Sequence, residues 1–121
     1  MQRPDPTADQ SSGAKTLVDV LRLVPECVAA AWLDARTAEV RELRRCDTSA
    51  EIAFGIEAAA SVVCAEDRPP RVVLFSDSHL FVAQRTAPAL GPVLLVVFRR
   101  SSNIGLSIAT IRTLTSELEV P

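Results

Sequence analysis

Four consecutive polar residues, Ser76, Asp77, Ser78 and His79, have side chains that could perform acid–base or nucleophilic chemistry. A catalytic triad needs a serine, a histidine and a carboxylate that converge from separate elements, with the histidine reaching both partners. Four neighbours across a tight turn do not provide that arrangement. We therefore interpret them as turn residues, with Asp77 accepting hydrogen bonds from local backbone N–H groups.

Nucleotide and metal chemistry have equally little support. Residues 13–16 (GAKT) resemble the end of a phosphate loop, but the upstream glycine and the preceding strand are missing. No two of the three cysteines form a C-x-x-C motif; they are Cys27, Cys46 and Cys64. The sequence contains one histidine, His79. A zinc site needs four well-spaced ligands, so we expect no metal and no cofactor. We interpret the cysteines as free thiols in a reducing cytoplasm.

The composition predicts one domain of an ordinary soluble protein. The chain has 121 residues, of which 48% are hydrophobic, and a formal net charge of −2. Without a basic excess, nucleic acid is not an expected partner. No apolar run approaches the roughly 18 residues that span a bilayer, and the N-terminus lacks a signal-peptide pattern. We expect a disordered arm over residues 1–15, a domain over residues 16–121, and a cytoplasmic location without membrane insertion.

The elements alternate in a way that predicts an α+β domain. Thr16 and Asp19 form a box-like start for a first helix, which Pro25 ends. Strands are predicted at residues 27–33, 38–46, 71–76, 79–85 and 93–98, a central helix at 48–66, and a last helix capped within 101–103. The last helix presents the apolar stripe Ile104, Ile108, Ile111, Thr115 and Leu118. The order α-β-β-α-β-β-β-α, with hairpin connections, predicts a five-stranded antiparallel sheet flanked by three helices.

The central helix is apolar on two sides, which indicates an interaction protein more than an enzyme. One stripe consists of Ile52, Ile56, Ala59 and Val63. The second stripe consists of Phe54, Ala58, Val62 and Ala65. A surface helix of a monomer needs one such stripe, so the second is predicted to meet another molecule.

Charged and aromatic residues on the first two strands support two further expectations. The strand at 38–46 carries Arg41, Arg44 and Arg45, a density of charge that is typical of a sheet edge. The same arginines are a candidate patch for an acidic partner surface. Trp32 lies in an alanine-rich strand and is predicted to anchor the core.

Two segments resemble the Roadblock/LC7 domain family. Residues 24–34 (VPECVAAAWLD) resemble the end of that family's first helix and its first strand. Residues 102–106 (SNIGL) resemble the asparagine–glycine opening of its last helix. The element order matches too, and the resemblance covers about residues 16–119. The chain departs from the family in the first hairpin turn, where Arg36-Thr37 stands in place of a frequent glycine.

The resemblance implies a profilin- or longin-like sheet with one helix on one face and two on the other. It also implies a homodimer formed through the central helix and the third strand. On this sequence that surface would comprise Phe54, Gly55, Ala58, Val62, Ala65, Val72 and Leu74. Gly55 and Ala58 would then let two helices approach closely. Family members bind Ras-like small GTPases or other Roadblock proteins, and this chain is similar to the bacterial members of polarity and gliding-motility modules.

Three functions follow as alternatives. The first is a non-enzymatic, dimeric adaptor in a small Ras-like GTPase module, contacting the GTPase, another Roadblock protein, or both. The second is a direct GTPase activator, for which Arg99, Arg100 or the arginines of the second strand could supply a charge. The third is a small-molecule sensor, which the low aromatic content of 4% and the many alanines disfavour.

Overall fold

The computed structural model describes residues 16–65, 69–86, 92–101 and 103–118. Its elements are α1 (Leu17–Leu23), β1 (Cys27–Leu33), β2 (Val40–Arg45), α2 (Ala50–Val63), β3 (Arg71–Phe75), β4 (His79–Arg85), β5 (Val93–Arg99) and α3 (Ile104–Leu114). The predicted order of helices and strands is therefore confirmed. The predicted arm at 1–15, which holds residues 13–15 of the phosphate-loop-like segment, and Ser102 lie outside the described residues.

The five strands form one antiparallel sheet in the order β2-β1-β5-β4-β3. The two most apolar strands, β1 and β5, lie at the centre and are buried along almost their whole length. The charged strand β2 lies at one edge, as its composition predicts, and β3 lies at the other. A strand with both faces covered needs continuous apolar residues, which explains the runs in β1 and β5.

Helices cover both faces of the sheet. One core cluster packs α2 against one face, and a second cluster packs α1 and α3 against the other. Trp32 belongs to the second cluster and is 1% exposed, so its predicted core role is confirmed. Within the described residues, no helix combines the length and the apolar character needed to cross a bilayer.

Helix α2 is shorter than predicted but buries the expected stripe. Ser49 caps it by accepting a hydrogen bond from the Ile52 N–H to its side-chain oxygen, at 3.4 Å. The predicted core stripe of Ile52, Ile56, Ala59 and Val63 is buried. The helix occupies Ala50–Val63 and not residues 48–66, because the cap fixes its start and Cys64 leaves helical geometry at its end.

Most of the stripe predicted for α3 faces the core: Ile111 and Leu118 are buried, and Ile108 packs against the second cluster. Asn103 caps the helix by accepting a hydrogen bond from the Leu106 N–H at 2.9 Å. Its buried line also includes Ser107 and Leu114, whereas Ile104 of the predicted stripe is 39% exposed. Because apolar residues lie around much of the helix, the pattern alone did not show that Ile104 is exposed.

Candidate interaction surface

The second stripe of α2 is open to solvent. The side chain of Phe54 is 77% exposed and that of Val62 is 44% exposed, while Ala58 and Ala65 are half-buried. Large apolar side chains with such exposure are unusual when several lie on one helix face. The structure therefore places these four residues where a second molecule could reach them.

The contacts of Glu51 show on which side of α2 the exposed stripe lies. Its carboxylate accepts a hydrogen bond from the Ser78 N–H, 2.9 Å away in the β3–β4 turn. Gly55, Ala58 and Val62 follow Glu51 at intervals of four, seven and eleven residues, which keeps them on one flank of a helix with about 3.6 residues per turn. The exposed flank of α2 thus lies on the side of the β3–β4 hairpin.

Strand β3, which packs against α2 through Val72 and Leu74, forms an open edge of the sheet. Among the described strands it pairs with β4 alone, so its outer backbone groups are open to another strand. Its sequence, RVVLF, contains one charge, and Phe75 is 52% exposed. The Arg100 guanidinium lies 5.1 Å from the centroid of the Phe75 ring and donates to the Ser76 carbonyl at 2.7 Å. The Arg100 cation therefore lies at one end of the apolar edge of β3.

Two of the residues that the resemblance placed at a dimer surface are turned inward. Val72 is 7% exposed and belongs to the core cluster under α2, and Leu74 is half-buried against the same cluster. They alternate with Val73 and Phe75, whose side chains point to the opposite face. In β3, the backbone edge and Phe75 are accessible, and the side chain of Val72 is not.

Gly55 also has a role within its own chain that the resemblance did not imply. A Cβ atom at this position would overlap the ring of Phe81 in β4. Glycine is therefore required because α2 lies close to its own sheet at this point. Close approach of a second helix is not needed to explain it.

The polar residues of the β3–β4 turn are joined to α2 by one carboxylate. Glu51 Oε2 accepts from the Ser76 hydroxyl and from the Ser78 N–H, and lies 2.8 Å from His79 Nδ1. An ionised carboxylate can only accept, so Nδ1 carries the proton. The Ser76 hydroxyl, followed by His79 and the Ser78 N–H, lowers the pKa of Glu51 to about 2.

This arrangement is not a catalytic triad. In a triad the serine hydroxyl bonds to the histidine and the carboxylate bonds to the far side of the ring. Here Ser76 and His79 both bind the same oxygen of Glu51. The interpretation of residues 76–79 as polar turn residues that bind backbone groups is therefore correct. The acceptor for the Ser78 N–H, however, is Glu51 and not Asp77.

The arginines of β2 are exposed but do not form one uniform patch. Arg41 pairs with Asp34 at 3.0 Å, and Arg44 pairs with Glu42 at 3.5 Å. Arg44 lies opposite Ala30 and Arg45 opposite Ala29, so alternation directs these two to different faces of the sheet. Their charge is therefore distributed around the edge.

The described cavities are shallow and do not favour a small-molecule sensor. A mostly apolar pocket of about 80 Å³ lies between Pro25, Phe98 and Leu106. An open polar groove of about 490 Å³ runs past His79, Arg99 and Ser101. In the part of the chain that the structure describes, no group of three His, Cys, Asp or Glu side chains could hold a metal ion.

Sequence reasoning missed Glu51 and Arg85, and it placed Phe75 within the third strand of the dimer surface without singling out its side chain. Glu51 and His79 are 28 residues apart, and no local pattern joins them. Arg85 donates to the carbonyls of Pro69 and Val63 across a similar distance in sequence. The exposure of Phe75 could have been predicted, because an aromatic residue at the end of an apolar strand beside a turn is a candidate for exposure.

The described elements have the Roadblock/LC7 fold: a five-stranded antiparallel sheet with three helices in the order α-β-β-α-β-β-β-α. No protein-family model matches the chain, and no curated protein sequence matches it. The fold assignment therefore comes from the structure.

Solved structures with this fold include three from bacteria. The gliding protein MglB of Thermus thermophilus is 15% identical, with a TM-score of 0.63, covering 84% of this chain and 82% of that one. MglC of Myxococcus xanthus is 18% identical, with a TM-score of 0.61, covering 83% and 90%. A Roadblock/LC7 domain of Streptomyces avermitilis is 16% identical, with a TM-score of 0.59, covering 83% and 88%. At such identities the likeness concerns the fold.

Proposed function

We propose that this protein is a non-enzymatic, dimeric adaptor in a bacterial module built around a small Ras-like GTPase. Two copies associate through α2 and the open edge of β3, and the dimer binds the GTPase, another Roadblock protein, or both. The observation that carries this proposal is the exposed apolar stripe of α2, with Phe54 and Val62, together with the unpaired edge of β3, where Phe75 is exposed on the other face of the sheet.

The chemistry of that surface supports self-association. An edge strand with one charge among five residues is poorly protected against pairing with a second strand. Each large apolar side chain that a partner buries contributes about 1.5–3 kcal/mol. The same flank of α2 carries the small residue Ala58, which leaves room for a facing helix.

The likeness to MglB and MglC supports the choice of module, since MglB is a gliding protein. The polar cluster of Glu51, Ser76 and His79 lacks the geometry of a nucleophile, which supports a role without catalysis. The charge, the fold and the exposed surface all suit a protein that acts by binding other proteins.

Replacing Val62 with Asp tests the dimer. The change places a charge on the exposed flank and leaves the buried stripe of α2 untouched. We expect the wild type to be a dimer at micromolar concentration and the Val62→Asp variant to be a folded monomer, because an unpaired charge in an apolar contact is strongly unfavourable. Light scattering coupled to gel filtration measures both masses, with circular dichroism as the check on folding.

Glu57→Asp is the control variant. It changes an exposed residue of the same helix, and the substitution preserves the negative charge. A monomeric wild type would refute the proposed surface. For the module, GTP hydrolysis by the cognate GTPase is measured with and without the protein. Binding without acceleration supports the adaptor, and acceleration would favour a direct activator.

A further inference from the structure

Strand β4 and helix α2 run beside each other with matched lengths. Glu51 and Val63 are twelve residues apart on the helix, about 18 Å at a rise of about 1.5 Å per residue. His79 and Arg85 are the first and last residues of β4, six steps or about 20 Å apart. The two ends of the strand thus coincide with the two ends of the helix.

Residues at the two ends of β4 form hydrogen bonds with the two ends of α2. At the helix N-terminus, His79 Nδ1 lies 2.8 Å from Glu51 Oε2, and Ser76 and Ser78 bind the same oxygen. At the C-terminus, the Arg85 guanidinium donates to the carbonyl of Val63 and, through Nε, to that of Pro69 at 3.0 Å. The last turn of α2 has no basic residue of its own, so Arg85 supplies the cation that its carbonyls favour.

A third contact lies between them. Gly55 follows Glu51 by four residues, about 6 Å along the helix, and Phe81 follows His79 by two residues, about 7 Å along the strand. The Phe81 ring fills the space that a Cβ of Gly55 would need. Three matched points therefore fix both the rotation of α2 and its position along β4.

We propose that Glu51 and Arg85 are positioning residues for the partner surface. Their proposed role is to act through α2 and not through contact with the partner. They hold α2 so that Ala58 and Val62 stand beside the β3 edge in the orientation that a second copy requires. This inference rests on the proposed dimer and adds to it the residues that preform the surface. Preforming a surface strengthens association because less freedom is lost on binding.

The test compares Glu51→Ala with Glu51→Gln and with the control Glu57→Ala, which alters an exposed glutamate of the same helix. Sedimentation equilibrium measures the dimer dissociation constant well below each unfolding temperature. We expect Glu51→Ala to raise that constant about tenfold, Glu57→Ala to leave it unchanged, and Glu51→Gln to recover most of the loss, since an amide oxygen still accepts from Ser76 and Ser78.

Amide hydrogen exchange provides the second measurement. Exchange in the first turn of α2 should accelerate in Glu51→Ala and not in Glu57→Ala. If Glu51→Ala fails to fold, two milder variants are measured in the same way. Ser76→Ala weakens the contacts at the N-terminal end of α2, and Arg85→Gln weakens those at its C-terminal end.

The outcomes separate the two proposals. A wild-type protein that is monomeric overturns the dimer itself. A wild-type dimer, together with a folded Glu51→Ala variant of unchanged dissociation constant, overturns the positioning role alone. Equal weakening by Glu51→Gln and Glu51→Ala also contradicts it, because the hydrogen-bonded geometry would then not be what matters.

Discussion

The ionisation of Glu51 is closely tied to the fold. Its pKa falls from an ordinary value of 4.5 to about 2, because the Ser76 hydroxyl, His79 and the Ser78 N–H all favour the charged form. A carboxyl group with a lower pKa in the folded state stabilises the protein above the unfolded pKa. That stabilisation is lost as the pH falls through the interval from about 4.5 to about 2.

We therefore predict that the Glu51→Gln variant loses less stability than the wild type on acidification. Urea unfolding at pH 6, 4 and 3 would give the free energy of unfolding for each protein. Asp34, whose pKa is also lowered, contributes equally to both, so the difference between the proteins isolates Glu51. Parallel curves for the two proteins would contradict the assignment.

The cysteines provide a second prediction at the scale of single residues. Cys27 is 6% exposed, and burial raises the pKa of its thiol to about 12, whereas Cys46 is exposed. Because the thiolate is the reactive form, Cys46 should be alkylated in the native protein and Cys27 only after unfolding. Peptide mass mapping after brief alkylation at pH 8 measures both. Equal labelling of the two in the folded state would refute the burial of Cys27.

At the scale of elements, Gly55 determines how closely α2 lies on the sheet. Gly55→Ala should lower the free energy of unfolding by about 1–2 kcal/mol, since overpacking against Phe81 outweighs the better helix propensity of alanine. Gly105→Ala is the control. Its Cβ would meet Asn103 at an ordinary 3.5 Å, so we expect a gain of up to about 1 kcal/mol. Urea unfolding midpoints compare the two, and a neutral Gly55→Ala variant would contradict the close contact.

The helices and strands also show how much of the fold could be predicted from the sequence. Hydrophobic period and turn residues were sufficient for all eight elements, because β1 and β5 are continuous apolar runs and α2 has a clean stripe at helical spacing. The exposure of Ile104 at the start of α3 was not predicted, since it looks as apolar as the residues that are buried.

The site was less accessible to sequence reasoning than the fold. The exposed flank of α2 could be read from its pattern, but the roles of Gly55 and Val72 could not. Both depend on contacts with residues distant in sequence, Phe81 and the core under α2. The Glu51–His79 pair likewise exists only once the hairpin has docked on the helix.

At the scale of the whole molecule, we predict that the arginines of β2 affect partner binding more than folding. The side chains of Arg41 and Arg44 are at least half exposed, and such ion pairs contribute about 0–1 kcal/mol each. Changing Arg41, Arg44 and Arg45 together to Ser should leave the melting temperature and the dimer nearly unchanged. Capture of an acidic partner should weaken, and the difference from wild type should shrink as salt rises.

Differential scanning calorimetry and pull-down of the GTPase at two salt concentrations measure these effects. Arg112→Ser, an exposed arginine on α3, is the control for a simple change in net charge. Unaltered capture by the triple variant would leave β2 as a solvated edge without a binding role.

The strand order gives the sheet two chemically unequal ends. The β2 end carries four charged residues among six, and the β3 end one among five. If two copies join at β3, each end of the combined sheet is a β2 strand that resists further pairing. Growth by strand addition then stops at two copies. In the proposed dimer, one edge of the sheet would thus join the two copies and the other edge would keep further copies from adding.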